Sequence, residues 1–160
     1  MYRELFDRGR RECEAADISM TAECVYCEGE GGQRLWGDAR CRVVLADEPF
    51  TGFCRVIWNA HVREMTDLDA TDRDHLMHVT FAVERVLRAR LSPLKMNLAS
   101  LGNVTPHVHW HVIARFPDDS HYPQPVWGTS QRPRPPASVP PTALAARLAA
   151  DLAAALGPGS

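Results

Sequence analysis

The sequence predicts a single α+β domain, and three observations carry that prediction. Two strand-like runs lie close together, Arg40 to Leu45 (RCRVVL) and Gly52 to Trp58 (GFCRVIW), with the turn signal Asp47-Glu48-Pro49 between them. A long segment from Thr71 to Leu91 then carries Leu76, Val79, Val83, Val86 and Leu87 at spacings of three and four, the period of a helix with one apolar face. Beyond it, PHVHWHVI alternates histidine with apolar residues at every second position, the period of a strand. With 160 residues and 45% hydrophobic composition, the chain is long enough to bury one sizeable core.

In chain order, residues 1–20 are rich in Arg and Glu and read as an N-terminal arm outside the main domain. The run Glu28 to Gln33 (EGEGGQ) reads as a turn. The two strand runs follow, and then the long helix, with acidic residues near its start and Pro93 after its end. Lys95 to Leu98 (KMNL) is a further short strand, and a turn containing Gly102 leads into the histidine strand. The domain spans 21–122. Residues 123–160 form an extension that opens with seven of the twelve prolines in 123–141, which predicts an extended course. It closes with a helix from Thr142 to Leu156, in which Leu144, Leu148, Leu152 and Leu156 recur every fourth residue, Thr142 caps the start and Gly157 follows the end.

Charge and composition narrow the function. A formal net charge of −2 gives no general attraction to nucleic acid or to an anionic membrane, so phosphate recognition would have to be local. No apolar run approaches the roughly 18 residues of a membrane span, and the charged N-terminus lacks a signal-peptide core. These features predict a cytoplasmic protein with no membrane or nucleic-acid partner. The five cysteines, an odd number, predict reduced thiols rather than a disulfide framework.

On a strand, His107, His109 and His111 share one face while Val108, Trp110 and Val112 share the other. Three imidazoles on one face are not ordinary core residues, because each ring brings two polar nitrogens that need partners. Such a row suits zinc ligation, and it equally suits nucleophilic attack on a phosphoryl group with neighbouring donors. The spacing leaves both open. Cys24 and Cys27 have a two-residue gap that completes half of a tetrahedral metal site. His75, His78 and His121 read as surface histidines.

The run HVHWHVI resembles the signature His-x-His-x-His-x-x of the histidine triad (HIT) superfamily, and the order of elements from Cys24 to Phe116 is similar too, with His61 after the second strand run. The chain looks most like bacterial members of the diadenosine-polyphosphate-hydrolase type. The resemblance implies a five-stranded antiparallel sheet with one long helix per protomer, and a homodimer whose sheets join. It further implies a hydrolase of purine nucleotide conjugates acting at the α-phosphate, releasing a nucleoside monophosphate from a dinucleoside polyphosphate or a phosphoramidate. In that chemistry His109 is the nucleophile, His111 serves the phosphate or leaving group, and His107 completes the triad. Asp47 would hold ribose hydroxyls, and Asn97 and Asn103 would complete the substrate contacts. The resemblance also implies a structural zinc on Cys24, Cys27, His61 and His107. Two positions depart from close relatives: Val104 replaces a hydroxyl donor, and Phe53 follows Gly52 where a histidine is common. They motivate an alternative, a nucleotide-binding or sensing dimer with little catalysis. Trp127 would either pack on a leaving group or close a dimer core.

Overall fold

A computed structural model describes residues 24–134 and 141–159. The proposed N-terminal arm lies outside the described residues. The chain begins with one helical turn, α1 (Val25–Glu28), and continues through strands β1 (Gln33–Gly37), β2 (Cys41–Leu45) and β3 (Phe53–Trp58). After a 3-10 turn (Met65–Asp67) come helix α2 (Ala70–Leu91), strands β4 (Lys95–Ala99) and β5 (His109–Arg115), and helix α3 (Pro141–Leu156). The strands form one antiparallel sheet in the order β1-β2-β3-β5-β4, as the α+β expectation requires.

Strand β1 is absent from the sequence-based reading. Its segment QRLWG holds only two large apolar residues, and its pairing with β2 slips between Arg34 and Trp36. That bulge destroys the period of two on which strand recognition depends.

Parity divides the sheet into two faces. Cys41, Val43 and Leu45 of β2, Cys54, Val56 and Trp58 of β3, and Val112 and Ala114 of β5 pack with Leu76, Val79, Val83, Val86 and Leu87 of α2. Leu144, Leu148 and Leu152 of α3 join the same core, so the terminal helix docks on the domain that precedes it. Full burial of each such side chain contributes about 1.5–3 kcal/mol. The predicted apolar stripe of α2 is the buried one. Asp69 caps the helix start by accepting the Asp72 N–H at 2.8 Å. Ser92, in the left-handed conformation with φ 47°, closes its end before Pro93. Helix α3 begins at Pro141, so Thr142 lies inside its first turn rather than at the cap.

The other face carries Arg42 and Val44 from β2, Phe53, Arg55 and Ile57 from β3, and His109, His111 and Ile113 from β5. Two segments cover it in part. At one end Cys24 and Tyr26 pack on Val44 and Ile57; at the other, Val126 packs with Ala46, Phe53 and Ile113. The proline-rich stretch around Val126 is irregular but anchored. Arg115 pairs with Asp119 at 2.7 Å and donates to the Gln124 carbonyl at 2.8 Å.

Candidate active site and metal centre

Arg42 explains how the first turn is held on the sheet. Its side chain is buried on β2 and donates to the carbonyls of Tyr26 at 2.6 Å, Gly29 at 3.1 Å and Glu30 at 3.2 Å. Three backbone acceptors around one guanidinium fix the α1 loop, and with it Cys24 and Cys27.

These two thiols face two imidazoles. Cys24 Sγ lies 3.4 Å from His107 Nδ1, Cys27 Sγ lies 3.3 Å from His61 Nδ1, and Cys27 Sγ lies 3.6 Å from His107 Nδ1. The four donor atoms all fall within 4.8 Å of one another. Thiolate and imidazole ligands of a tetrahedral zinc ion stand about 3.5 Å apart along a tetrahedron edge, from bond lengths of about 2.3 and 2.0 Å. The separations fit. His107 Nε2–H donates to the Trp58 carbonyl at 2.6 Å, which leaves Nδ1 unprotonated and turned to the sulfurs, the tautomer a metal ligand needs.

The next two histidines are arranged differently. Strand β5 proper begins at His109, although Val108 already bonds to Val62 and Trp58 through its backbone. His109 Nδ1–H donates to the His107 carbonyl at 2.6 Å, so its Nε2 is the bare nitrogen, 3.1 Å from His111 Nε2. Both rings are buried. Burial pushes the pKa of His109 down, with the charge of Arg55 adding to it, against the pull of the His107 carbonyl. Burial, followed by the charges of His109 and Arg55, pushes His111 down to about 3. Both imidazoles are therefore neutral at pH 7. Tyr26 lies edge-on over His109, with ring centroids 4.9 Å apart. A buried, neutral imidazole with its nucleophilic nitrogen fixed by a backbone hydrogen bond is equipped to attack an electrophile such as phosphorus.

Residues 32–118 match the HIT domain family. The chain belongs to the HIT family. Solved HIT structures share its fold. A histidine triad protein from Marinobacter aquaeolei VT8 aligns at 25% identity over 79% of this chain and 92% of its own, with a TM-score of 0.65. One from Bradyrhizobium japonicum aligns at 24% identity over the same shares, 79% and 92%, with a TM-score of 0.62. A hypothetical histidine triad nucleotide-binding protein from Sulfolobus tokodaii aligns at 18% identity over 84% of this chain and 97% of its own, with a TM-score of 0.62. No curated protein matches the chain. HIT membership points to nucleotide binding or to nucleotide hydrolase or transferase activity. No helix among the described residues is long and apolar enough to cross a membrane.

Within this HIT site, the structure brings His109 and His111 together and sets His107 among the Cys24, Cys27 and His61 donors. The remaining candidates are dispersed. Asp47 and Asn103 are exposed on loops that leave the sheet at opposite ends of the strands. Asn97 shares the histidine face, and its Oδ1 accepts from Arg115 at 2.7 Å. Trp127 lies in the same chain as the His111 it covers, with ring centroids 5.0 Å apart, and contacts Phe53 at 6.3 Å. His75, expected at the surface, is instead tied down on the helical side of the sheet. It bonds Asp38 at 2.7 Å through Nε2 and accepts from Arg40 at 2.9 Å through Nδ1, beside buried Cys41. Asp38, Cys41 and His75 are near enough to share a metal ion, yet both ring nitrogens are already used within the protein.

Proposed function

We propose that this HIT protein hydrolyses purine nucleotide conjugates, using His109 as nucleophile on the α-phosphate. The observation that carries the reading is the buried neutral His109, whose Nδ1–H is held by the His107 carbonyl and whose Nε2 faces His111. The Nε2 lone pair forms a bond to phosphorus as the bond to the leaving group breaks, giving a nucleotidyl-histidine. The positive charge that develops on the ring is shared with the His107 carbonyl. His111 hydrogen-bonds the departing atom. Water then cleaves the P–N bond and releases the nucleoside monophosphate, and its proton balances the one taken by the leaving group. The scissile bond is a phosphoanhydride or a phosphoramidate.

Cys24, Cys27, His61 and His107 would hold zinc, whose role is to fix the strand entry that presents His109. Edge strand β4, bracketed by exposed Leu94 and Leu101, supports a homodimer formed by continuation of the sheet. Asp47 and Asn103 would contact the ribose and the phosphate from their exposed loops.

The test is monophosphate release from a panel of adenylated and guanylated conjugates, wild type against His109→Ala. The expected result is loss of turnover with the fold intact; undiminished turnover by the variant overturns the reading. A nucleotide-binding or sensing dimer is the second reading, favoured by Val104, which is 95% exposed and brings no hydroxyl to the loop that carries Asn103. Trapping a nucleotidyl-protein adduct by mass spectrometry eliminates it.

A further inference from the structure

The histidine face also carries a charge that the triad does not account for. Arg55 of β3 is the cross-strand partner of His111 and faces the same way. Its neighbours on that face are apolar or aromatic: Val44 across the strand pair, and Phe53 and Ile57 along its own strand. Nη1 donates to the Gly31 carbonyl at 3.1 Å and Nη2 to Glu48 Oε1 at 2.5 Å, while Cζ lies 5.4 Å from the Phe53 ring centroid. The Nε–H is shielded from solvent and has no acceptor among the described residues. The Arg55 side chain is 16% exposed and that of Glu48 33%. The guanidinium is thus positioned by two hydrogen bonds and retains an unused donor on the face that carries His111. Guanidinium groups held in this way recognise oxyanions. A partly exposed loop carboxylate such as Glu48 is an exchangeable partner, given up at little cost.

We infer that Arg55 is a substrate-binding residue, donating to a phosphoryl oxygen of the nucleotide while Glu48 holds the guanidinium until the nucleotide arrives. The inference rests on the nucleotide-conjugate reading above. The oxygen belongs either to the phosphate attacked by His109 or to a phosphate further along the chain, and the same donor chemistry serves both.

Equilibrium binding of adenosine, adenosine 5′-monophosphate and adenosine 5′-diphosphate to the full chain tests it without turnover. Arg55→Gln is expected to weaken nucleotide binding about 10- to 100-fold, the scale of one charge-assisted hydrogen bond, and to leave adenosine within about twofold. Loss with both nucleotides assigns the contact to the first phosphate; loss with the diphosphate alone assigns it to the second. Arg55→Lys is expected to recover part of the affinity, and Glu48→Gln to match or exceed wild type. Unchanged nucleotide binding in Arg55→Gln overturns the inference, as does an equal loss with adenosine. If Arg55→Gln fails to fold, Glu48→Gln decides, and weaker nucleotide binding there overturns it. A wild type that binds neither nucleotide overturns the parent reading as well, whereas a wild type that binds both with no loss on substitution overturns this inference alone.

Discussion

The His107 carbonyl accepts the Nδ1–H of His109 at 2.6 Å, and the ring of His107 is itself fixed by the Trp58 carbonyl at 2.6 Å. One residue therefore faces the sulfurs with its ring and orients the proposed nucleophile with its backbone. The Cys/His cluster and the His109 imidazole are joined through a single peptide unit.

That connection makes metal removal informative. Purified protein is expected to contain about one zinc per chain, a count lost in Cys24→Ser. Chelation should lower the melting temperature and reduce turnover in proportion to unfolding, because the ion acts on the fold rather than on phosphorus. Metal content by atomic emission, read beside thermal melts, checks this. Full activity in metal-free, folded protein would remove the cluster from the functional account.

Acid stability should report His111. Its pKa is pushed to about 3 in the folded protein, whereas an unfolded histidine titrates near 6.5. Between these values the unfolded chain holds a proton that the folded chain lacks, so stability falls as pH drops below about 6.5. At pH 5 the contribution from this group is about 2 kcal/mol. His111→Gln should show a shallower loss between pH 7 and pH 5 in urea titrations, with part of the remaining slope coming from His109, which burial pushes the same way. Identical slopes in the two proteins would contradict the assignment.

The pair Arg115–Asp119 is expected to hold the wall that carries Trp127. Burial alone would raise the Asp119 carboxyl, but the Arg115 guanidinium and the amides of His121 and Tyr122 outweigh it and keep it below the usual carboxylate range. Its stabilisation is present above about pH 4 and disappears as pH falls through the lowered pKa. Asp119→Ala leaves a guanidinium that is 2% exposed without its carboxylate and should cost about 3–5 kcal/mol. Faster proteolysis within 120–134 should accompany that loss. Arg115→Met combined with Asp119→Leu should be milder than either single change, which a double-mutant cycle measures.

Gly31→Ala is a compact test of the cleft floor. Gly31 has φ +80°, and an added Cβ would lie 2.8 Å from Ile57 Cδ1 and 3.0 Å from the Tyr26 ring. The conformational penalty alone is about 1–2 kcal/mol. Because the Gly31 carbonyl also holds Arg55, nucleotide affinity should fall with stability; a melting temperature equal to wild type would show that the loop relaxes freely.

Much of this architecture is written in periodicity. The stripe from Leu76 to Leu87 is regular enough that element type and buried face follow directly, and the alternation through His111 gives the strand, although both of its faces are largely buried. Strand β1 is not, because the bulge at Arg34–Trp36 interrupts its pattern. The Cys24, Cys27, His61 and His107 grouping follows from the family resemblance, and the structure brings its donor atoms together. Arg42 and Arg55 were legible in principle: each is a charge inside an otherwise apolar central strand, at the parity of the histidine face. Burying a guanidinium there requires acceptors, and only the folded loops reveal that Tyr26, Gly29, Glu30, Gly31 and Glu48 supply them. The position of Trp127 depends on the Asp119 turn, which no periodic signal announces.

The family match ends at residue 118, one position before Asp119. A fragment trimmed to that boundary would sever an ion pair, leave Arg115 facing solvent and discard Val126 and Trp127 together. The His111 ring would lose the aromatic cover that Trp127 gives it. For this chain, the working unit is longer than the segment the family model matches.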